Sequence, residues 1–89
     1  MKVFEKRLSP TERTRHWVNV PAADHQDLPS NDEPFQIKAG SQTVKATIDS
    51  QSRLLGLGWP VFHELELDSP GATVILEKTS EEGYRLKKK

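Results

Sequence analysis

The apolar residues of this chain recur in twos. Val18 and Val20 alternate with Trp17 and Asn19, Phe35 and Ile37 with Gln36 and Lys38, and Val44, Ala46 and Ile48 with Lys45 and Thr47. Successive side chains of an extended strand point to opposite faces, so this spacing predicts half-buried β-strands and leaves little chain for amphipathic helix. Further short apolar runs lie at Leu54, Leu55 and Leu57, at Thr73-Val74-Ile75-Leu76 and at Tyr84-Arg85-Leu86. Turn chemistry separates them. Ala39-Gly40-Ser41-Gln42 suits a tight hairpin, Asp49-Ser50-Gln51-Ser52-Arg53 a hydrophilic tip, Ser69-Pro70-Gly71 a type II turn and Ser80-Glu81-Glu82-Gly83 a last reversal. One short helix fits after Pro60, with Val61, Phe62 and Leu65 on one side and an end near Leu67. Ala22–Leu28 fits a second, and Pro29–Pro34 reads as loop. Trp59, beside Phe62, is expected in the core. The expectation is a mainly β chain of about seven short strands with one or two short helices, curled into a small barrel because closure removes exposed edges.

Length agrees with a single domain over residues 1–89, since two separate cores need more chain than this. Only 34% of the residues are apolar, so the core is small and a large ligand cavity is not expected. The chain has no cysteine, which excludes disulfides, a thiolate nucleophile and thiolate zinc sites. No apolar run approaches the roughly 18 residues of a membrane span, and the first five residues lack the apolar stretch of a signal peptide. An intracellular protein without a membrane partner is the expectation.

The formal net charge is zero, but its distribution is uneven. Lys2, Lys6, Arg7, Arg13 and Arg15 lie within the first 17 residues against Glu5 and Glu12, whereas residues 16–37 contain no Lys or Arg and carry Asp24, Asp27, Asp32 and Glu33. A polyanion would meet one attractive face and one repulsive face. Within the basic part, Arg13, Thr14, Arg15 and His16 supply donors suited to phosphate oxygens and guanine edges, and Asn19 can bond adenine bidentately. Ser50, Gln51, Ser52 and Arg53 form a second polar tip of the same character, again flanked by strand residues. The alternative for both tips is an ordinary solvated turn.

Motifs for catalysis fail on inspection. His63-Glu64-Leu65-Glu66-Leu67 has leucine where a zinc-protease helix needs its second histidine, Gly56-Leu57-Gly58 is followed by no Lys-Ser or Lys-Thr, and Ser50 has no glycine elbow. Asp24-His25-Gln26-Asp27 has no convergent partner for a metal. Asp32 with Gln36-Ile37-Lys38 is a faint echo of a metal-dependent nuclease. The expectation is a non-enzyme with no cofactor and no metal.

Phe4-Glu5-Lys6-Arg7-Leu8-Ser9, followed by Val18-Asn19-Val20-Pro21 and later by Gly58-Trp59-Pro60-Val61-Phe62 with Leu67, resembles the motif series of the B-three DNA-binding domain. These matches span most of the chain in the family's order. The resemblance implies a seven-stranded open pseudobarrel, as in plant transcription factors and the recognition or effector domains of some bacterial restriction endonucleases. It implies double-stranded DNA as partner, gripped by two arms in the major groove. By position the first arm is Thr11, Arg13, Thr14, Arg15 and His16 up to Trp17, with Asn19 at its exit, and the second is Ser50, Gln51, Ser52 and Arg53. Arg15, Asn19 and Arg53 are then expected to read bases, and Lys6 and Lys45 to touch phosphate. A catalytic domain elsewhere, or another partner protein, is compatible with this reading, and the domain itself is expected to be monomeric.

Two other classes stay open at this stage. The stretch Arg53–Leu86 also resembles a swapped-hairpin transition regulator or antitoxin, which would be an obligate dimer. A protein-interaction module using the acidic loop Asp24–Glu33 is the third.

Overall fold

Gly40 and Ser41 join two strands in the tight turn expected of them. The computed structural model describes residues 1–80 and 83–89, in which β1 (Lys2–Arg7), α1 (Pro10–Arg15), β2 (Val18–Asn19), a 3-10 helix (Ala22–Asp27), β3 (Phe35–Ala39), β4 (Gln42–Ile48), β5 (Arg53–Leu55), α2 (Gly58–Glu64), β6 (Thr73–Lys78) and β7 (Tyr84–Lys88) follow one another. β3 and β4 pair from Ala39↔Gln42 to Phe35↔Ala46. Gly40 sits at φ +62, and a Cβ there would strike the Glu64 carboxylate. That carboxylate accepts hydrogen bonds from Gln42 Nε2 and Ser41 Oγ, both at 2.9 Å, and from the Ser41 backbone N–H. The end of α2 is thereby tied to the hairpin, and these donors hold the Glu64 carboxyl below its ordinary range.

The seven strands form one strongly curled open sheet in the order β1-β6-β7-β3-β4-β5-β2. Every pairing is antiparallel except β3 with β7, where Ile37, Lys38 and Ala39 face Tyr84, Arg85 and Leu86 in parallel. The β6–β7 and β3–β4 hairpins meet at this pair. The Pro70-Gly71 turn enters β6 as expected, with Gly71 at φ +80 and Ala72 N–H bonded to Ser69 C=O at 3.1 Å. In the last reversal Thr79 N–H donates to Gly83 C=O, while Glu81 and Glu82 lie outside the described residues.

The outer strands of this sheet, β1 and β2, do not pair with each other, yet a side chain bridges them. Lys6 Nζ on β1 donates to Asn19 C=O on β2 at 3.1 Å and meets Glu12 Oε2 at 2.9 Å. A side-chain ion pair therefore closes the seam that strand pairing leaves open.

The core is the concave face of the curl, sealed by α2. Ile37, Ile48, Leu54, Val61, Phe62 and Leu76 are fully buried, each contributing on the order of 1.5–3 kcal/mol by leaving water. Trp59 is not among them, contrary to expectation, and is 56% exposed. Helical geometry explains this: Val61, Phe62 and Leu65 define the inward side of α2, and position 59 falls with position 63 on the outer flank. There the indole stacks on the His63 imidazole at 4.7 Å and 15°. Trp59→Gln is expected to change unfolding free energy by less than about 0.5 kcal/mol in urea titration, as for other surface sites.

Candidate nucleic-acid interface

The first arm begins at Ser9. Its Oγ accepts from Glu12 N–H at 3.2 Å while Glu12 Oε1 accepts from Ser9 N–H at 2.8 Å, a reciprocal capping box with Pro10 at the first helical position. Most of the segment expected to be a polar arm is therefore the helix α1, a third helix beyond the one or two expected. It ends at His16, whose left-handed φ of +62 turns the chain and whose N–H returns to Glu12 C=O at 2.8 Å. Thr11, Thr14 and Arg15 are exposed on α1 and Arg13 is half-buried. Arg13 Nε is buried and, among the described residues, has no acceptor. Arg13 and Arg15 in the last turn also face the negative end of the helix dipole. The His16 ring is half-buried, edge-on to Phe62 at 5.3 Å.

The second arm is organised by Asp49. Its Oδ1 accepts from the backbone N–H groups of Gln51 and Arg53, both at 2.9 Å, and its Oδ2 accepts from Arg53 Nε at 2.6 Å. Burial pushes the Asp49 carboxyl up, but the Arg53 and Gln51 donors together outweigh it and hold the group below its ordinary range. Ser50 and Gln51 stand exposed at the tip, with Ser52 and Arg53 half-buried behind them. The Arg53 guanidinium lies 4.7 Å above the Trp17 ring, so the two arms touch.

Backbone pairing fixes this proximity. β2 and β5 align Val18 with Leu54 and Asn19 with Arg53, and Val20 N–H donates to Ser52 C=O at 2.7 Å. The exit of the first arm and the base of the second thus share one mouth of the half-barrel. The side chain of Asn19 is exposed beside them. Lys45 stands apart: it is exposed on β4 opposite Gln36, four residues before Asp49, and hydrogen-bonds to neither arm among the described residues.

Glu12 enters the sequence analysis only as a charge, and the structure makes it the centre of the first arm. Just 3% exposed, it bonds Ser9, Lys6 and the Asn19 N–H, the last at 2.7 Å. Burial pushes its carboxyl up, but the donors from Ser9, Asn19 and Lys6 outweigh that and leave it below the usual range. The signal was present, because Ser9-Pro10-Thr11-Glu12 is a capping-box sequence. Lys6 needs correction as an expected phosphate contact. Its ammonium is committed to Glu12 and Asn19 C=O, with the side chain 23% exposed.

The acidic segment is close by. Asp32 N–H donates to Ile48 C=O at 2.7 Å, which sets this loop against the strand leading into the second arm. An open groove of about 630 Å³ runs along the same segment, lined by Asp27, Leu28, Pro29, Glu33, Phe35 and Tyr84 among others. Asp27 and Glu33 against the single cation Lys78 leave it net acidic, which does not suit a polyanion.

No family model matches the chain, and no curated protein sequence does. Among solved structures it is similar to the N-terminal domain of Helicobacter pylori LlaJI.R1, with a TM-score of 0.76 over 99% of this chain and 80% of that one, at 15% sequence identity. At that identity the likeness is one of fold, and it agrees with the barrel architecture described above.

Proposed function

We propose that this domain binds double-stranded DNA, with α1 and its exit forming one arm and the Asp49–Arg53 loop the other. The observation that carries the reading is the junction of the two arms. Asn19 pairs with Arg53, Val20 bonds Ser52, and Arg53 stacks on Trp17, so two polar segments distant in sequence form one rigid edge. That edge offers Arg15, Asn19, Ser50, Gln51 and the fork of Arg53, the donor types suited to base edges and phosphates. The structural neighbour, the N-terminal domain of Helicobacter pylori LlaJI.R1, shares the half-barrel on which both arms are mounted. In this reading the domain recognises a site without cutting it, as a module of a restriction endonuclease or a regulator, and uses no cofactor.

Titration of labelled protein with a randomised duplex pool at low salt tests the proposal. The amides of residues 11–19 and 50–53 are expected to shift most. Shifts confined to residues 24–33 would instead favour a protein-interaction module, as would failure to bind any duplex. Arg15→Ala and Asn19→Ala are expected to cost about 1–3 kcal/mol on a selected sequence and much less on a random one. Lys45→Ala should weaken both alike and flatten the salt dependence by about one unit of slope. Duplex incubated with the domain and magnesium or manganese should remain intact. Cleavage that disappears in Lys38→Ala would overturn the non-catalytic assignment.

A further inference from the structure

We propose that Asp49 and Trp17 make Arg53 a fixed reader of guanine, and that Asp49 acts as a positioning residue for base selection instead of contacting DNA itself. This rests on the DNA-binding reading and adds a base identity and a mechanism to it.

The argument begins with rotational freedom. A free arginine side chain is a flexible cation, and confining it on DNA costs rotamer entropy. Arg53 is already confined in three ways. Its backbone N–H is bonded to Asp49 Oδ1, its Nε–H to Asp49 Oδ2 at 2.6 Å, and its guanidinium carbon lies 4.7 Å from the Trp17 ring centroid. The main chain at Trp17 is set by the left-handed residue His16 before it and the paired residue Val18 after it, and its side chain is half-buried. The Nε edge is consumed, whereas the two Nη groups have no protein acceptor among the described residues. The side chain keeps 31% of its surface exposed. What remains is a planar two-donor fork of fixed orientation.

Charge then decides what the fork suits. Paired with an ionised carboxylate, Arg53 is nearly neutral as a unit, so its attraction for phosphate is largely cancelled. Its directional donors are not cancelled. A neutral surface with two adjacent acceptors matches this better than a phosphate does, and in the major groove that surface is guanine O6 with N7. Asp49 takes little direct part in base contact, since both its oxygens are occupied and its side chain is 15% exposed.

The test first selects a duplex with the wild-type domain, then replaces each guanine in turn with 7-deazaguanine, which lacks the N7 acceptor. One position is expected to lose about tenfold in affinity, within the range of a bidentate base contact. Arg53→Lys, which keeps the charge but not the fork, should lose sensitivity at that position. Asp49→Asn should reduce it too, with a larger loss on the selected than on the random duplex. Tight wild-type binding with no sensitive guanine overturns this inference and leaves DNA binding standing, and it requires no variant to fold. A sensitive guanine whose effect persists in full in Arg53→Lys assigns the contact to another residue and also overturns it. Retention of full sensitivity in Asp49→Asn, folded by circular dichroism, removes Asp49 from the mechanism. Absence of wild-type binding to any duplex removes the underlying reading itself.

Discussion

Glu12→Gln is expected to destabilise the domain by about 2–4 kcal/mol, measured by urea unfolding at neutral pH. The glutamate oxygens accept from Ser9 N–H, Asn19 N–H and Lys6 Nζ. An amide of the same shape offers one oxygen and one NH₂, so at least one of these donors must face another donor. Burial makes that expensive, because water cannot replace the lost acceptor at a residue 3% exposed. Lys6 limits the loss, since its partly exposed ammonium can turn toward water. Lys6→Met should accordingly cost less than Glu12→Gln, and the two should be non-additive because they remove one shared ion pair.

The same carboxylate gives a pH signature of definite sign. Glu12 has a folded pKa below its unfolded value. Its contribution is therefore fully present above the unfolded value of about 4.3 and is lost as pH falls through the folded value. Wild-type stability should decline as the medium is acidified below that point. Glu12→Gln should decline less steeply, so the gap between the proteins narrows in acid. Asp49, Glu5 and Glu64, whose carboxyls are also held below their ordinary range, add to the wild-type slope and remain in the variant. An acid slope unchanged by the substitution would show that Glu12 is not the residue whose protonation opens the seam.

These effects bear on what the sequence reveals. Alternation at Phe35–Lys38 and Val44–Ile48 marks β3 and β4 because a strand with one buried face must write its pattern at period two. β2 is only two residues long, yet the Val18 and Val20 alternation marks its place, whereas β1 carries a register irregularity between Lys2 and Phe4 and writes no clean alternation of its own. The parallel contact of β3 with β7 and the Lys6–Glu12–Asn19 seam join residues through the tertiary fold, and no local pattern encodes them. The positions of the arms were legible as polar segments between strands, and the resemblance ordered them. Their local structure is written there too, in the Ser9–Glu12 capping box and in an aspartate beginning the Asp49–Arg53 turn, although polarity is the more conspicuous signal at both places. Trp59 shows the opposite error: size suggested burial, while the helical position relative to Phe62 placed it outside.

Phe62→Ala is expected to remove about 3–5 kcal/mol, the largest single effect among side chains of this core. Phe62 is fully buried on α2, and truncation leaves a cavity that the surrounding strands, fixed by backbone pairing, can fill only in part. Its consequence extends beyond stability because the ring also supports the edge of His16, where the first arm turns into β2. Phe62→Leu, which retains most of the volume, should cost less while still removing the aromatic contact. The two variants therefore separate cavity from support. In Phe62→Leu the amides of α1 and Trp17 should shift in a heteronuclear correlation spectrum while those of β6 and β7 hold their positions. Binding to a selected duplex should weaken more than the modest stability loss alone would produce. If Phe62→Leu leaves the α1 amides in place, the His16 contact does not hold the arm, and positioning falls to Glu12 and the β2–β5 pairing alone.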